Sequence, residues 1–313
     1  MGLFRYVNNM FRHDRNIKRM LTEQNEELRQ IRTLLMEQRI HEFREKTLTS
    51  REMGVSEESQ CDQDVVVSLT SFGKRIYDVP LAIESIMQGT IKPNCIVLWL
   101  SEEEFKGRPL PKSLEMQKNR GLQVEYCKDI RSYEKLIPSL KKYPEACIIT
   151  IDDDAIYEYD FVERLVVAHQ NHPEAVCACR IHKVKLDEDG KPLSYMDWDW
   201  CVEEYEKNDV LLFPTGVGGV LYPPHCFSHE VFNQNAFMEL CPYADDVWFY
   251  AMRLMNNTPV AQVFTGNPLG YYEELPSRDM EALSKENTDV ANCRNDVQIK
   301  AVFEKYNLYE KLL

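Results

Sequence analysis

Three consecutive carboxylates, Asp152, Asp153 and Asp154, follow the apolar run IITI at 148–151. Such a run predicts a buried strand, and ligands of open α/β sheets bind beyond the carboxyl ends of their strands. Adjacent carboxylates repel one another unless a cation offsets their charge, and oxygen ligands suit Mg²⁺ or Mn²⁺. The triplet therefore predicts a metal site, with Asp152 and Asp154 on one side and Asp153 on the other if the chain stays extended. The alternative is an acidic loop in which Asp154 caps the next helix.

A second acidic pair, Asp245 and Asp246, precedes the apolar stretch VWFYAMRL at 247–254. We expect this stretch to be helical, and one interpretation is that the pair caps its N-terminus. The other is that one carboxylate acts as a general base and accepts a proton from a substrate hydroxyl.

Four short apolar runs predict the strands that must position these acids: VVVSLT (65–70), CIVLWL (95–100), LQVEYC (122–127) and ACIITI (146–151). Predicted helices lie between or after them at about 79–88, 132–142 and 159–169, the second of them interrupted by Pro138. This alternation predicts an α/β fold with a mostly parallel sheet flanked by helices. After residue 175 the pattern is less regular, with strand-like AVCACRIHKV and VGGVLY. We expect one catalytic domain at 64–313, preceded by a polar linker at 47–63.

Residues 1–46 predict a long amphipathic helix. Steps of three and four from Leu3 to Gln38 give eleven positions, of which eight are apolar. This heptad pattern favours a coiled coil, and hence a homo-oligomer formed through residues 3–38. Two alternatives remain: the helix packs on its own catalytic domain, or it lies on a membrane surface through its basic first 20 residues.

Composition limits the classes of partner. The net charge is −14 over 313 residues, and residues 1–50 carry a small positive charge. The remaining body is therefore strongly acidic and would repel the phosphates of nucleic acid. It would accept an anionic nucleotide if a metal supplied positive charge. The start MGLFRYVNNMFRHDR lacks an apolar signal core, so we expect a cytoplasmic protein, or one peripheral to the inner face of a membrane, with its ten cysteines reduced.

The acidic triplet resembles the D-x-D motif of GT-A glycosyltransferases. The similarity extends over about residues 65 to 310, in the same order along the chain. The segments that carry it are VVVSLTSFGKRI (65–76), AIESIMQGTIKPNCIVLWLSEE (82–103), DIRSYEKLIPSL (129–140), PTGVGGVLYPP (214–224) and CPYADDVWFYAMRL (241–254). The whole run resembles bacterial glycosyltransferases of surface-polysaccharide pathways. The fold implied is the Rossmann-like GT-A sheet.

The resemblance implies a nucleotide-sugar donor, with UDP as the first choice of nucleotide, and a glycan or lipid-linked acceptor. Asp154 would bind the metal, Mn²⁺ or Mg²⁺, and Asp152 would face either the metal or the ribose of the donor. The implied donor-binding residues are Thr70, Ser71, Arg75, Arg131, Lys135, Asp152 and Asp153. Many GT-A enzymes add a late histidine to the metal site, but the last histidine here is His229. Asn or Asp from NTDVANCRNDVQ (287–298), or water, would have to replace it.

On the acceptor side, Asp246 matches the base of inverting GT-A enzymes and Asp245 its supporting acid. Trp198 and Trp200, in MDWDW (196–200), suit packing against the apolar face of a sugar ring, with core packing as the alternative. Gly218 and Gly219 would let the backbone approach a sugar, or simply form a flexible turn.

Two other functions compete with glycosyl transfer. A sugar-phosphate nucleotidyltransferase would carry a Gly-rich, basic loop after the first strand, whereas SLTSFGKRI (68–76) contains one glycine. A non-catalytic sugar-binding protein, oligomerised by its N-terminal helix, would bind a nucleotide sugar without turning it over.

Overall fold

The computed structural model describes residues 2–203, 209–265, 272–275 and 293–312, and their side chains from residue 19 onward. The chain divides into two compact units, Met1–Lys46 and Thr47–Leu313. The long N-terminal helix that the sequence predicts is present as α1, Gly2–Thr49. Its described apolar seam residues Leu21, Leu28, Ile31 and Leu35 are all more than half exposed. In the described part of the chain, no helix has the length and apolar character needed to cross a membrane.

A seven-stranded sheet forms the centre of the second unit. Its strands are β1 Val65–Thr70, β2 Cys95–Ser101, β3 Leu122–Cys127, β4 Cys147–Thr150, β6 Val176–Ala178, β9 Val220–Tyr222 and β10 Val260–Gln262. Their order across the sheet is β10-β6-β9-β4-β1-β2-β3. All neighbouring strands are parallel except β9, which runs antiparallel to both β4 and β6. Two antiparallel pairs lie beside it, formed by β5 Ala155–Tyr157 with β11 Tyr272–Glu274 and by β7 Ile181–Lys183 with β8 Leu212–Pro214.

Helices and turns connect and cover these strands. In chain order the helices are α2 Val79–Met87, α3 Glu102–Phe105, α4 Lys112–Lys118, α5 Ile137–Lys142, α6 Phe161–Asn171, α7 Gln234–Leu240, α8 Asp245–Met255 and α9 Arg294–Tyr306. The central strands are buried on both faces, as a parallel sheet covered by helices requires. Adjacent residues of β4 show this, because Ile148 and Ile149 enter two different apolar clusters. The predicted α/β class and mostly parallel sheet are confirmed.

Pro138 interrupts the helix predicted at 132–142, and the interruption positions a site residue. Residues Arg131–Lys135 form a 3₁₀ turn, and α5 begins only at Ile137, with the proline in its first turn. Proline is tolerated there because no intrahelical hydrogen bond is lost. The buried Ser68 hydroxyl on β1 then donates to the carbonyl oxygen of Lys135 at 2.6 Å. This contact fixes Lys135 against the end of the sheet.

The segment predicted as a linker packs against the rest of the second unit. The Gly54 N–H donates to the carbonyl oxygen of Arg120 at 2.8 Å, and the Ser56 N–H donates to that of Pro93 at 3.0 Å. Arg120 in turn donates to the carbonyl oxygen of Glu52 and forms a fully buried ion pair with Glu84 at 2.7 Å. Residues 52–56 are therefore held by both backbone and side-chain hydrogen bonds.

Candidate functional site

A cleft of about 780 Å³ opens beyond the carboxyl ends of β1 and β4. It brings together the turn at Arg131–Lys135, the acidic triplet and the first turn of α8. Most residues that the sequence analysis selected line it: Thr70, Ser71, Arg75, Arg131, Lys135, Asp152, Asp153, Asp154, Trp200, Asp245 and Asp246. The cleft therefore combines the predicted donor-side and base-side groups, which lie far apart in the sequence.

The acidic triplet does not stay extended. Asp153 and Asp154 form a turn, and the Arg75 Nη1 lies 3.0 Å from a carboxylate oxygen of each. The expected alternation, with Asp153 pointing away from Asp154, is therefore wrong. Asp153 also accepts a hydrogen bond from the Ser71 hydroxyl at 2.6 Å. Burial raises the pKa of Asp153 to about 6, although Arg75 and Ser71 act in the opposite direction.

Lys135 links the triplet to the second acidic pair. Its buried Nζ lies 3.0 Å from Asp152 Oδ1 and 3.1 Å from Asp245 Oδ2. Burial alone would lower the pKa of this ammonium, but the carboxylates around it raise the pKa well above its ordinary value. Lys135 is therefore charged at neutral pH and holds the two groups of acids together.

Asp246 lies in the first turn of α8, beside the backbone of Gly216. Its Oδ1 accepts a hydrogen bond from the Gly216 N–H at 3.0 Å. Burial and the neighbouring charge of Asp245 raise the pKa of Asp246 to about 7, while Lys135 and the Gly216 N–H act to lower it. A general base is most effective when its pKa lies near the working pH. Asp246 therefore meets this condition at neutral pH.

Gly216 is the residue at which a side chain would disturb both groups. A Cβ atom placed there would lie 2.9 Å from Lys135 Nζ and 3.0 Å from Asp246 Oδ1. We expect Gly216→Ala to displace the Lys135 and Asp246 side chains. The rate of a reaction that uses these side chains should then fall by about 10²-fold, which is the cost of a misplacement of about 1 Å at a reacting centre. Steady-state kinetics and thermal melting would measure the rate and confirm the fold. Val217→Ala, in the same loop, is the control, and an unimpaired Gly216→Ala enzyme would contradict this role.

Three predicted acceptor residues do not line the cleft. Trp198 is only 4% exposed and packs against Tyr195 and Phe213 in the core. A Cβ atom on Gly218 would lie 2.4 Å from Arg180 Cβ, and one on Gly219, whose φ is +90°, would lie 2.3 Å from the Phe161 ring. The two glycines are therefore explained by close packing within the chain. Trp200, 38% exposed, stacks on His182 and presents an aromatic surface to the cleft.

Thr70 and Arg131 line the cleft, and both contact other residues of its wall. The Thr70 hydroxyl lies 2.7 Å from Glu134, a buried acid that sequence reasoning missed, although it lies within the segment 129–140. Burial raises the pKa of Glu134 to about 7. Arg131 donates to the Pro242 carbonyl oxygen and lies 4.2 Å above the Tyr243 ring. Its guanidinium therefore lies at the rim of the cleft, on an aromatic support.

The sequence offers an Asn or Asp of the segment 287–298 as a replacement for the late histidine of the metal site, without singling out Asn295. Residues 287–292 of that segment lie outside the described chain. Asn295 lines the cleft, and its buried Oδ1 has no hydrogen-bond partner among the described residues. The adjacent Asp296 accepts from the Ser194 hydroxyl and from the Tyr195 N–H, which ties α9 to the segment before Trp200. Asn295 therefore contributes to the cleft wall a buried oxygen acceptor that no described group uses.

Arg180 is a further cleft residue that sequence reasoning missed, because a single arginine after a short strand carries no signal of its own. Its Nη1 donates to the Thr215 hydroxyl at 3.3 Å. Over the described residues, nine carboxylate side chains and four cationic ones line the cleft. The excess of negative charge opposes an anionic ligand, and a divalent cation bound by oxygen atoms would relieve it.

No protein-family model matches the chain, and no curated protein matches it. Solved structures that match include the mannosyltransferase PcManGT from Pyrobaculum calidifontis, in complex with GDP-Man and Mn²⁺, at 14% identity and a TM-score of 0.32. That match covers 47% of this chain and 42% of the mannosyltransferase, so the chain spans less than half of that protein. A second is TarS 1-349 from S. aureus, at 13% identity and a TM-score of 0.44, covering 78% of this chain and 71% of that one.

The structure shows an α/β chain whose mixed, mostly parallel seven-stranded sheet places two groups of acids around one buried lysine.

Proposed function

We propose that this protein is a metal-dependent glycosyltransferase of the GT-A type that moves a sugar from a nucleotide-sugar donor, with a UDP-sugar as the first choice, to a glycan or lipid-linked acceptor in surface-polysaccharide synthesis. One observation carries the proposal. Lys135 lies between Asp152, on the predicted donor side, and Asp245, beside the predicted base, within one cleft. A volume of about 780 Å³ is within the usual range for ligand pockets.

The donor side fits a divalent cation. Asp152 and Asp154 offer carboxylate oxygens at the end of β4, and Asn295 offers an amide oxygen without a partner among the described residues. These are the hard oxygen ligands that Mg²⁺ and Mn²⁺ prefer. A metal held there would stabilise the charge on the departing nucleoside diphosphate. Arg75 contacts both Asp153 and Asp154 and so orients the triplet toward the cleft.

The acceptor side fits direct displacement with inversion. Asp246 would accept the proton of the attacking hydroxyl, held in position by the Gly216 N–H. Asp245 would support Asp246 through its ion pair with Lys135, which partly offsets the positive charge that lowers the pKa of Asp246. The half-exposed Trp200 ring would pack against the apolar face of a sugar.

The proposal is tested by binding and turnover on the full chain. A thermal-shift screen would compare nucleoside diphosphates and nucleotide sugars in Mn²⁺ and in EDTA, and a glycan array would then supply an acceptor. We expect stabilisation by one nucleotide in Mn²⁺ and transfer of its sugar. Pyrophosphate release from a nucleoside triphosphate and a sugar 1-phosphate would instead indicate a nucleotidyltransferase. Binding without any turnover would indicate a sugar-binding protein, and a screen without any hit would remove the proposal.

We further propose that α1 associates with a second copy of itself. Leu21, Leu28, Ile31 and Leu35 expose apolar surface at heptad spacing, and a coiled coil would bury it. We expect light scattering to show an oligomer that becomes a monomer after deletion of residues 1–46. Leu28→Lys, combined with Ile31→Lys, should have the same effect without shortening the chain. A monomeric mass for the full chain, together with co-sedimentation with anionic vesicles, would favour a membrane-surface helix instead.

A further inference from the structure

A cluster of metal-binding side chains lies outside the cleft. Cys61, Cys147 and His169 each offer one ligand atom, and these three atoms lie within 4.8 Å of one another. Cys147 and His169 are buried, and Cys61 is half-buried. The Cys147 Sγ is 3.3 Å from the His169 Nε2. None of the three lines the cleft.

Three separate elements supply the cluster. Cys147 opens β4, whose other end leads to the acidic triplet, so the cluster lies at the opposite end of that strand. His169 belongs to α6, and Cys61 precedes β1. The approach of the Cys61 segment is fixed by neighbouring contacts. The Cys147 N–H donates to the Asp64 carbonyl oxygen at 2.9 Å, and the Gln170 side-chain amide donates to the Gln60 carbonyl oxygen at 2.9 Å.

The spacing suits a tetrahedral ion. Zinc bonds of about 2.3 Å to sulfur and about 2.0–2.1 Å to nitrogen, at tetrahedral angles, place the ligand atoms roughly 3.5–3.8 Å apart. The contact of 3.3 Å between Cys147 and His169 would need to open by only a few tenths of an ångström. A fourth possible ligand atom, an oxygen, is near, because Gln63 Oε1 lies 3.3 Å from His169 Nε2 and 3.9 Å from Cys147 Sγ.

We propose that Cys61, Cys147 and His169 form a structural site for Zn²⁺ that fastens the segment before β1 to β4 and α6. Two thiolates and an imidazole select a soft or borderline ion, whereas the oxygen ligands of the cleft select Mg²⁺ or Mn²⁺. The chain would thus hold two different metals at opposite ends of β4. A closed site with protein ligands contributes to folding rather than to chemistry.

The test uses the full chain, reduced and stripped of metal, in millimolar Mg²⁺ to occupy the acidic cleft. Zn²⁺ is then titrated in competition with a chromophoric chelator. We expect one tight Zn²⁺ per chain and a rise in the melting temperature. Loss of even an outer-shell partner weakens metal affinity by about 10- to 100-fold, so Cys61→Ser should weaken it by about 100-fold or more. Cys127→Ser, which removes a half-buried thiol outside the cluster, and Asp154→Asn should each keep wild-type affinity.

Equal Zn²⁺ affinity in the wild type and in Cys61→Ser would overturn the proposal. The proposal would also be overturned if the reduced wild type binds no Zn²⁺. This includes the case in which Cys61 and Cys147 form a disulfide in the purified protein and bind no Zn²⁺ after that bond is reduced. If Cys61→Ser fails to fold, the same titration on His169→Gln decides, and retention of tight Zn²⁺ binding there would equally refute the site.

Discussion

Asp246→Asn should lower the rate of sugar transfer by about 10²- to 10⁴-fold, which is the usual contribution of general-base catalysis. The asparagine keeps the size of the side chain and an oxygen that can accept from the Gly216 N–H, but it cannot take a proton at neutral pH. Donor affinity should change little, because the acidic triplet and Arg75 are untouched. The rate is measured with an acceptor identified on the glycan array, since slow hydrolysis of the donor does not require the same base.

Asp245→Asn is the matched control, and it should cost less, since Asp245 contacts Lys135 and is assigned only a supporting role. Helix capping alone predicts a different outcome. Asparagine caps a helix about as well as aspartate, so Asp246→Asn would then change neither stability nor rate. Transfer at the wild-type rate would reject Asp246 as the base and favour a retaining mechanism or another base.

The pH dependence gives a second readout of the same residue. Because the base must be ionised, transfer should rise with pH through the pKa of Asp246, which is about 7. The folded-state pKa exceeds the unfolded value of about 3.9. The folded protein therefore binds this proton more tightly, and the contribution of Asp246 to stability falls as pH rises from about 4 to 7. At pH 8 we expect the melting temperature of Asp246→Asn to equal or exceed that of the wild type, so a lower rate with a lower melting temperature would point to misfolding.

Asp154→Asn should abolish the metal dependence of donor binding. For the wild type we expect nucleotide affinity to be much higher in Mn²⁺ than in EDTA. The substitution removes a charged oxygen from the proposed metal site. Loss of a residue that only supports a metal ligand weakens metal affinity by about 10- to 100-fold, so loss of a ligand itself should weaken Mn²⁺ affinity by about 100-fold or more. Isothermal titration with UDP in the two buffers measures the nucleotide affinities, and a separate titration with Mn²⁺ measures the metal affinity.

Asp129→Asn provides the control for this experiment, because it removes the same charge from the same cleft without touching the triplet. It should retain the wild-type ratio of affinities in Mn²⁺ and EDTA. If the wild type itself binds UDP equally in both buffers, the metal has no part in donor binding, and the triplet serves only to pair with Arg75 and Lys135.

The sequence by itself determined the central strands and the location of the acids. The runs at 65–70 and 95–100 became strands with the predicted starting residues, because β-branched and apolar residues in short runs suit a sheet buried on both faces. The run at 122–127 also became a strand with the predicted bounds, at the end of the sheet order, where most of its residues are half-buried or exposed. The position of the acidic triplet after β4 followed from the same pattern. Local signals also predicted a helix interruption close to Pro138 and a helix over 247–254, which the structure extends to Asp245–Met255, since proline and helix periodicity act within a few residues.

Only the tertiary structure decided which groups meet. The turn at Asp153 and Asp154 places both carboxylates in contact with Arg75. The alternation of side chains along an extended strand does not predict this contact. Two tryptophans two residues apart received opposite environments, Trp198 in the core and Trp200 at the cleft, because packing against Tyr195 and Phe213 selects one of them.

The position of Lys135 between Asp152 and Asp245, and the raised pKa of Asp246, likewise depend on burial and on charges brought together from distant parts of the chain. Local sequence specifies the conformation of each segment. The ionisation of a site depends on distances of 3 to 4 Å between segments, and these exist only once the sheet and its covering helices have packed.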